Sequence, residues 1–162
     1  MDKQAEKIIE YANYIRDHRE NVMKAWKSLQ EPCKSMNFIY DDCLYEAINW
    51  NIQLHDKSKY SQEEFIPYQL HFFPVDVQPI KETLDIDFAN AWEHHKKHNR
   101  HHWQYIGIYG GIEDVVEMVC DWMAMGMQFG DTAENYYLKN QSSIILKEWQ
   151  VEIIKEIFKL IR

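Results

Sequence analysis

The sequence predicts an all-α protein, a single-domain helical bundle of six or seven helices over residues 1–162. Three observations support this fold class. Apolar residues recur at helical spacing in several long segments. Residues typical of helix caps, such as Asp41 and Thr132, precede some of these segments. No segment shows the sustained alternation of apolar and polar residues that a half-buried strand requires, and no repeat or linker marks a second domain.

Apolar stripes define the first two helices. Residues 3 to about 29 predict one long helix, which Pro32 should end because proline disfavours helix at the residue before it. His18 falls on the apolar face of this helix. Asp41 is a suitable N-cap for a second helix that runs to His55, at the end of the second stripe.

The middle of the chain combines a capping signal with a long connection. Ser61 and Glu64 have the spacing of a capping box and predict a short helix after them. Residues 74–85 predict a polar loop, which is a candidate lid or a plain surface connection. A further helix starts near Phe88, and Asn99-Arg100 is a candidate interruption of it.

The last third of the chain predicts three helices. A strongly apolar helix runs from about Ile112 to Phe129. Gly130 then suits a C-cap and Thr132 an N-cap for a short helix over residues 133–139. Ser142-Ser143 is expected to begin the final helix.

Composition excludes several classes of function. The net charge of −8 argues against binding to duplex nucleic acid, and no apolar run is long enough to cross a membrane. The cysteines Cys33, Cys43 and Cys120 form no CxxC pair, which favours reduced thiols in a cytoplasmic protein. Aromatic residues such as Tyr136, Tyr137 and Trp149 make a homo-oligomer a candidate assembly.

Five of the eight histidines lie in one stretch, HHKKHNRHHW, at residues 94–103. On a helix, His94, His98 and His101 share one face, and so do His95, Asn99 and His102. Either face could present imidazole nitrogens to a metal ion. The alternative is a solvated, partly cationic surface helix, because two lysines and an arginine lie among the histidines.

Candidate ligands also occur on the other predicted helices. Asp121 lies within an apolar helix, where an acid is costly to bury unless it is paired or bound to metal. Glu117, one turn earlier, is either its partner or exposed. His55 and Asp56 are adjacent, and their side chains would diverge by about 100° on a regular helix. Both could therefore reach one ion only if the local backbone departs from a helix.

The order His18, His55-Asp56, histidines, Asp121 resembles the HD superfamily of metal-dependent phosphohydrolases. The run HDKSK looks like the HD-x-G-K form of two-metal members, with Ser58 in place of the glycine. More closely, the whole chain looks like a domain-of-unknown-function family of short bacterial and phage HD-like proteins. That resemblance rests on HDKSK followed by EEFIPY, on AWEHHKKHNRHHW and on EMVCDWMAMGMQFGDTAENYY.

The resemblance implies an HD-like bundle that binds one or two divalent transition-metal ions. Imidazole and carboxylate ligands suit Mn, Fe, Co, Ni or Zn better than Ca or Mg. The ligands expected for a first metal are His18, His55, Asp56 and Asp121. A second metal would be bridged by Asp56, with His94, His101 and His102 favoured among the clustered histidines.

The expected function is metal-dependent hydrolysis of a small phosphate ester, most plausibly a nucleotide. Asp56 would ligate metal and accept a proton from water, and Lys59 would either hold a phosphate oxygen or lie at the surface as an ordinary lysine. One alternative is a metal-stabilised protein that sequesters a nucleotide or signalling molecule without turnover. Others are an HD-like di-iron oxygenase and a purely structural bundle.

Overall fold

The computed structural model describes residues 2–36, 41–75 and 80–162. The helices are α1 (Lys3–Lys34), α2 (Asp42–Leu54), α3 (Phe65–Phe72), α4 (Lys81–His98), α5 (Trp103–Tyr109), α6 (Ile112–Phe129), α7 (Ala133–Asn140) and α8 (Glu148–Leu160), with a 3-10 helix at Lys57–Tyr60. No strand occurs in these three ranges, so the predicted all-α class is confirmed. None of these helices combines the length and hydropathy that crossing a membrane requires.

The chain divides into two compact units. The first unit comprises the residues up to Asp17 and Asp56–Asn99, and the second unit comprises His18–His55 and Arg100–Arg162. Each unit has its own apolar core.

Aromatic rings dominate the core of the first unit. Tyr11 and Tyr68 are buried there, and α3 packs against α4. The ring of Tyr11 lies 5.1 Å from that of Phe65, and Tyr68 meets Phe88 edge-on at 5.1 Å. Such tilted and edge-on pairs are the arrangements that aromatic quadrupoles favour. They hold α3 and α4 together, so that Glu64 at the start of α3 lies beside His94 and His95 of α4.

The second unit is built around α6. Val115, Val116 and Val119 are fully buried, and α2, α5, α7 and α8 all pack against this helix. Tyr137 packs in the same core at 9% exposure, whereas Tyr136 and Trp149 stay partly exposed. An apolar helix with neighbours on several sides fixes the side chains that project from it, including Glu117 and Asp121.

Predicted caps are confirmed at several helix ends. The Asp41 carboxylate accepts a hydrogen bond from the Leu44 amide at 2.6 Å, and Thr132 accepts one from Asn135 at 3.1 Å. Gly130 takes a left-handed conformation, with φ +73°, at the end of α6. Helix α4 stops at His98 with Asn99 as its C-cap, where the sequence suggested an interruption.

Three predicted boundaries are wrong. Helix α1 continues through Pro32 to Lys34, where buried Cys33 extends the apolar stripe and offsets the hydrogen bond that proline cannot make. The loop predicted over residues 74–85 is helical from Lys81 onward, and its residues 76–79 lie outside the described part of the chain. The last helix begins at Glu148 rather than at Ser142-Ser143, which lie in a turn.

Candidate metal centre

Three helices each bring one ligand atom to a common point in the second unit. His18 comes from α1, His55 from the C-cap of α2, and Asp121 from α6. The Nε2 atoms of His18 and His55 are 3.2 Å apart, and Oδ1 of Asp121 lies 3.1 Å from the first and 3.7 Å from the second. A tetrahedral ion with bonds of about 2.1 Å separates its ligands by about 3.4 Å. The three atoms therefore have the spacing of a metal site.

Burial and charge both favour an ion at this triad. His18 and His55 are 3% and 1% exposed, so an uncompensated charge beside them would be costly. Burial, the largest single influence, raises the pKa of Asp121. The hydrogen bond from His18 and the charges of His55, His101 and His18 outweigh it, so that the pKa falls below its ordinary value. Asp121 is accordingly an ionised carboxylate facing two imidazoles.

Arg19 fixes the backbone from which His55 projects. Its Nε donates to the carbonyl of His55 and its Nη2 to that of Gln53, both at 2.8 Å. These bonds satisfy carbonyls at the C-terminus of α2, where a positive charge is favourable. The chain then leaves the helix. His55 has φ −46° and ψ 127°, and Asp56 has a left-handed φ of +53°. The backbone at His55 and Asp56 therefore departs from a regular helix, as a joint role of these two residues requires.

Glu117 lies one turn before Asp121 on α6 and is buried. Its Oε1 accepts a hydrogen bond from Nδ1 of His55 at 2.9 Å and lies 3.0 Å from Nδ1 of His101. The His55 and His101 rings are 4.2 Å apart. One carboxylate oxygen of Glu117 therefore contacts the Nδ1 atoms of both His55 and His101.

A second cluster of acids and histidines lies in the first unit, around Asp56. This residue is 2% exposed, with Oδ2 2.7 Å from Nζ of Lys59 and Oδ1 3.3 Å from Nε2 of His95. Lys59 is therefore held in an ion pair with Asp56, and its ammonium also lies 5.5 Å from the centre of the Tyr68 ring. The two residues proposed for catalysis are in direct contact.

Glu64 holds two adjacent histidines in the same unit. Its Oε1 is 2.7 Å from Nδ1 of His94, and its Oε2 is 2.8 Å from Nδ1 of His95. The predicted capping box with Ser61 is therefore wrong, because the Glu64 carboxylate turns inward to these imidazoles and is fully buried.

The pKa shifts of this pair follow from their mutual contacts. Burial raises the pKa of Glu64, but the hydrogen bond and charge of His95, followed by the hydrogen bond from His94, leave it below its ordinary value. Burial lowers the pKa of His95, yet the charge of Asp56 and hydrogen bonds to Asp56 and Glu64 leave it above its ordinary value. Both residues are therefore stabilised in their charged forms.

Ser58, which stands where the HD-x-G-K pattern has glycine, joins this network. Its hydroxyl accepts a hydrogen bond from Nδ2 of Asn99 at 2.7 Å, and Asn99 also donates to the carbonyl of His95 at 2.9 Å. These bonds link the 3-10 helix to the end of α4. The serine hydroxyl therefore helps to fix the part of α4 that carries His95.

Arg100, one of the cations among the histidines, has a structural partner in the second unit. Its Nη2 lies 3.0 Å from Oδ2 of Asp114, which is fully buried. Asp114 also accepts hydrogen bonds from Asn51 at 3.2 Å and from the Gly111 amide at 3.0 Å. Asp114 complements the dipole of α6, and it also joins the segments that carry Asn51, Arg100 and Gly111.

Within each unit, the structure brings together several of the predicted site residues. His18, His55 and Asp121 form the triad, with His101 beside His55. In the first unit, Asp56 and Lys59 form an ion pair. His94 contacts Glu64 and is half-buried. His102 is the half-buried N-cap of α5, with its ring 4.2 Å from that of His101.

Sequence reasoning did not single out Glu64 or His95, and it did not identify His55 as the partner of Glu117. His95 continues the stripe of Phe88 and Trp92 on α4, a signal that favours it over the exposed His98. Glu117 is four residues before Asp121 and thus on the same face of α6. Glu64 gave no such signal, because its spacing from Ser61 is that of a cap.

The fold and these clusters define an all-α protein with buried histidine–carboxylate groups that could hold a metal ion. The chain belongs to the family of unknown function DUF5662, whose family model matches residues 7–160. Searches of curated proteins and of solved structures found no match.

Proposed function

We propose that this protein is a metal-dependent phosphohydrolase that acts on a nucleotide or another small phosphate ester. The observation that carries the proposal is the spacing of 3.1–3.7 Å between Nε2 of His18, Nε2 of His55 and Oδ1 of Asp121. Each atom comes from a different helix, and the three lie together in a buried setting. This is the arrangement expected of ligands that serve one ion.

His18, His55 and Asp121 would hold a divalent transition-metal ion, since two imidazoles and one carboxylate suit Mn, Fe, Co, Ni or Zn. Bound there, such an ion would lower the pKa of water and neutralise charge on a phosphoryl oxygen. Three protein ligands also leave coordination positions for water and substrate, as in catalytic sites. The chemistry of the donor set therefore fits hydrolysis.

Asp56 and Lys59 are the proposed catalytic pair. Contacts with Lys59 at 2.7 Å and with His95 at 3.3 Å favour the ionised form of Asp56, which is the form able to accept a proton from water. Lys59 is 15% exposed, and its ammonium is suited to a phosphate oxygen. In a chain of net charge −8, a half-buried cation of this kind is a preferred point for an anionic substrate, which would compete with Asp56 for it.

We also propose that the family is HD-like and that Asp56 ligates metal, as the sequence resemblance implies. The same proposal includes a second metal ion, for which His94, His101 and His102 would be ligands. If it is correct, elemental analysis should approach about two ions per chain. Substitution of both His101 and His102 by alanine should then reduce the metal content towards one ion per chain. An unchanged metal content would contradict the second metal site.

The test of the reaction is phosphate release from a panel of nucleotides with Mn, Co, Ni, Fe, Zn or Mg added. Asp56→Asn should lose at least about 10²-fold in rate, since a positioned base contributes about that much or more. Asparagine tolerates the left-handed backbone, so the variant removes charge without adding strain. Asp42→Asn, at an exposed aspartate of α2, is the matched control and should keep full activity.

Two other outcomes would replace the proposal. Nucleotide binding without phosphate release above the Asp56→Asn level, with every metal, would favour a sequestering protein. Copurified iron together with oxygen uptake would favour a di-iron oxygenase.

A further inference from the structure

We propose that Glu117 is a positioning residue, which fixes the tautomer of His55 so that Nε2 presents its lone pair to His18 and Asp121. This inference rests on the metal centre of the proposed function. It concerns the imidazole itself, however, and can be tested on the metal-free protein. Glu117 would act through the histidine and would not touch the ion.

The geometry assigns the proton. Oε1 of Glu117 lies 2.9 Å from Nδ1 of His55, and a carboxylate can only accept a hydrogen bond. Nδ1 of His55 therefore carries the hydrogen, and Nε2 of the neutral ring carries the lone pair. Nε2 is the nitrogen that lies 3.2 Å from His18 and 3.7 Å from Asp121.

The same oxygen also lies beside His101. Nδ1 of His101 is 3.0 Å from Oε1 of Glu117, and its ring is 4.2 Å from that of His55. This second contact has the length but not the geometry of a hydrogen bond, so the proton is assigned for His55 alone. Glu117 would thereby set the orientation of one imidazole that the sequence already marks as a candidate ligand.

An alternative is that Glu117 is itself a ligand, in a site with Nδ1 of His55 and Nδ1 of His101. Nδ1 of His55 already donates a hydrogen bond of 2.9 Å to Glu117, and a nitrogen that carries a hydrogen has no lone pair for an ion. A neutral imidazole also has only one lone pair. His55 could bind ions through both nitrogens only by losing its last ring proton, so the triad and this second site compete.

The first unit contains a comparable arrangement. Glu64 contacts Nδ1 of His94 and Nδ1 of His95 at 2.7 and 2.8 Å, and Nε2 of His95 lies 3.3 Å from Asp56. In both units a buried glutamate contacts Nδ1 of two histidines and leaves Nε2 for other groups. Carboxylates that hold the second nitrogen of ligand histidines commonly change metal affinity 10–100-fold on mutation.

The test combines histidine tautomers with zinc affinity. Protein labelled with ¹⁵N-histidine is compared as wild type, Glu117→Gln, Glu117→Ala, Asp121→Asn and Glu152→Gln, the last at an exposed glutamate of α8. Ring ¹⁵N shifts of the metal-free protein report which nitrogen carries the proton. Competition with a chelator then gives the Zn²⁺ dissociation constant. Glutamine keeps an acceptor oxygen and should fold even if the alanine variant does not.

We expect Glu117→Gln to keep the Nδ1–H tautomer of His55 and to lose less than about tenfold in Zn²⁺ affinity. Glu117→Ala should give a mixture of tautomers and lose about 10–100-fold, and Glu152→Gln should match wild type. Loss of Zn²⁺ by Glu117→Gln to the extent seen in Asp121→Asn would show that Glu117 is a ligand. An Nε2–H tautomer of His55 in wild type would overturn the proposal directly, whether or not the protein hydrolyses phosphate esters.

Discussion

The Nε2 atom of His18 lies 3.2 Å from the Nε2 atom of His55, although the two residues are 37 positions apart in the chain. Two imidazole nitrogens at this distance share a hydrogen when no cation is bound, because two lone pairs facing each other would repel. With Nδ1 of His55 donating to Glu117, the shared hydrogen belongs to His18. For an ion to bind at the triad, the hydrogen must leave Nε2 of His18, either to Nδ1 of the same ring or to water. Protons compete with the ion for these ligands, so affinity should fall as the pH is lowered.

The first prediction concerns the ligands of the triad. Asp121→Ala and His55→Ala should each abolish binding of the ion and lower the melting temperature, since removal of one partner from a buried charged group costs about 3–5 kcal/mol. Elemental analysis and thermal unfolding measure the two effects. His98→Ala, at an exposed histidine, should leave both unchanged. Full metal content in the Asp121→Ala protein would show that the triad is not the metal site.

The second prediction is the pH dependence of the Glu64–His95 interaction in chelated protein. The lowered pKa of Glu64 stabilises the fold above about pH 4.3, and this contribution is lost as the pH falls through the folded pKa. The raised pKa of His95, which faces Asp56, Glu64 and Lys59, stabilises the fold below about pH 6.5. That contribution is lost as the pH rises through the folded pKa.

Urea unfolding of wild type and His95→Gln measures this effect. The difference in unfolding free energy between them should be larger near about pH 5.5 than near about pH 9. A difference that stays constant across this range would mean that the charge of His95 does not stabilise the fold.

The third prediction separates the two glutamates. Glu64 uses a different oxygen for each histidine, whereas Glu117 uses Oε1 for both. Glutamine has one acceptor oxygen, so Glu64→Gln should switch either His94 or His95 to the Nε2–H tautomer, while Glu117→Gln should keep His55 in the Nδ1–H form. Ring ¹⁵N shifts distinguish these results. Identical behaviour of the two variants would contradict the assignment of oxygens.

The fourth prediction concerns Arg100 as a structural residue. Arg100→Met keeps much of the apolar stem but leaves the buried Asp114 without its cation, which should cost about 1.5–3 kcal/mol of stability. Zn²⁺ affinity should stay within about twofold of wild type, since hydrogen bonds from Asn51 and Gly111 still hold Asp114. Lys97→Met, at an exposed lysine, is the control for charge alone. Unchanged stability of Arg100→Met would refute this role.

Sequence periodicity predicted the fold class and most helices because the apolar stripes of this chain are regular. The limits of α6 and the caps at Asp41 and Thr132 follow from local chemistry alone. The end of α1 was wrong because buried contacts of Cys33 and Met36 outweigh the local effect of Pro32. A prediction from neighbouring residues alone cannot take a tertiary contact of this kind into account.

The triad was predictable because its members share two visible properties, an inward position on a helix and a side chain that binds metal. Glu64 was not, since the same residue satisfies a capping pattern and only tertiary packing turns it towards His94 and His95. The choice of His94, His101 and His102 among the five clustered histidines stays a prediction, and it left out His95 for a related reason. His95 is marked by the stripe of α4, but the contacts that give it a role come from distant residues, Asp56 and Glu64.

The three triad atoms project from α1, α2 and α6, which are widely separated along the chain. An ion bound to all three would couple the local opening of these helices, since no one of them could unfold without releasing a ligand. Amide hydrogen exchange in the second half of α1, in α2 and in α6 should then slow together when the ion is added and speed up together when it is chelated. The ion would make three helices one cooperative unit.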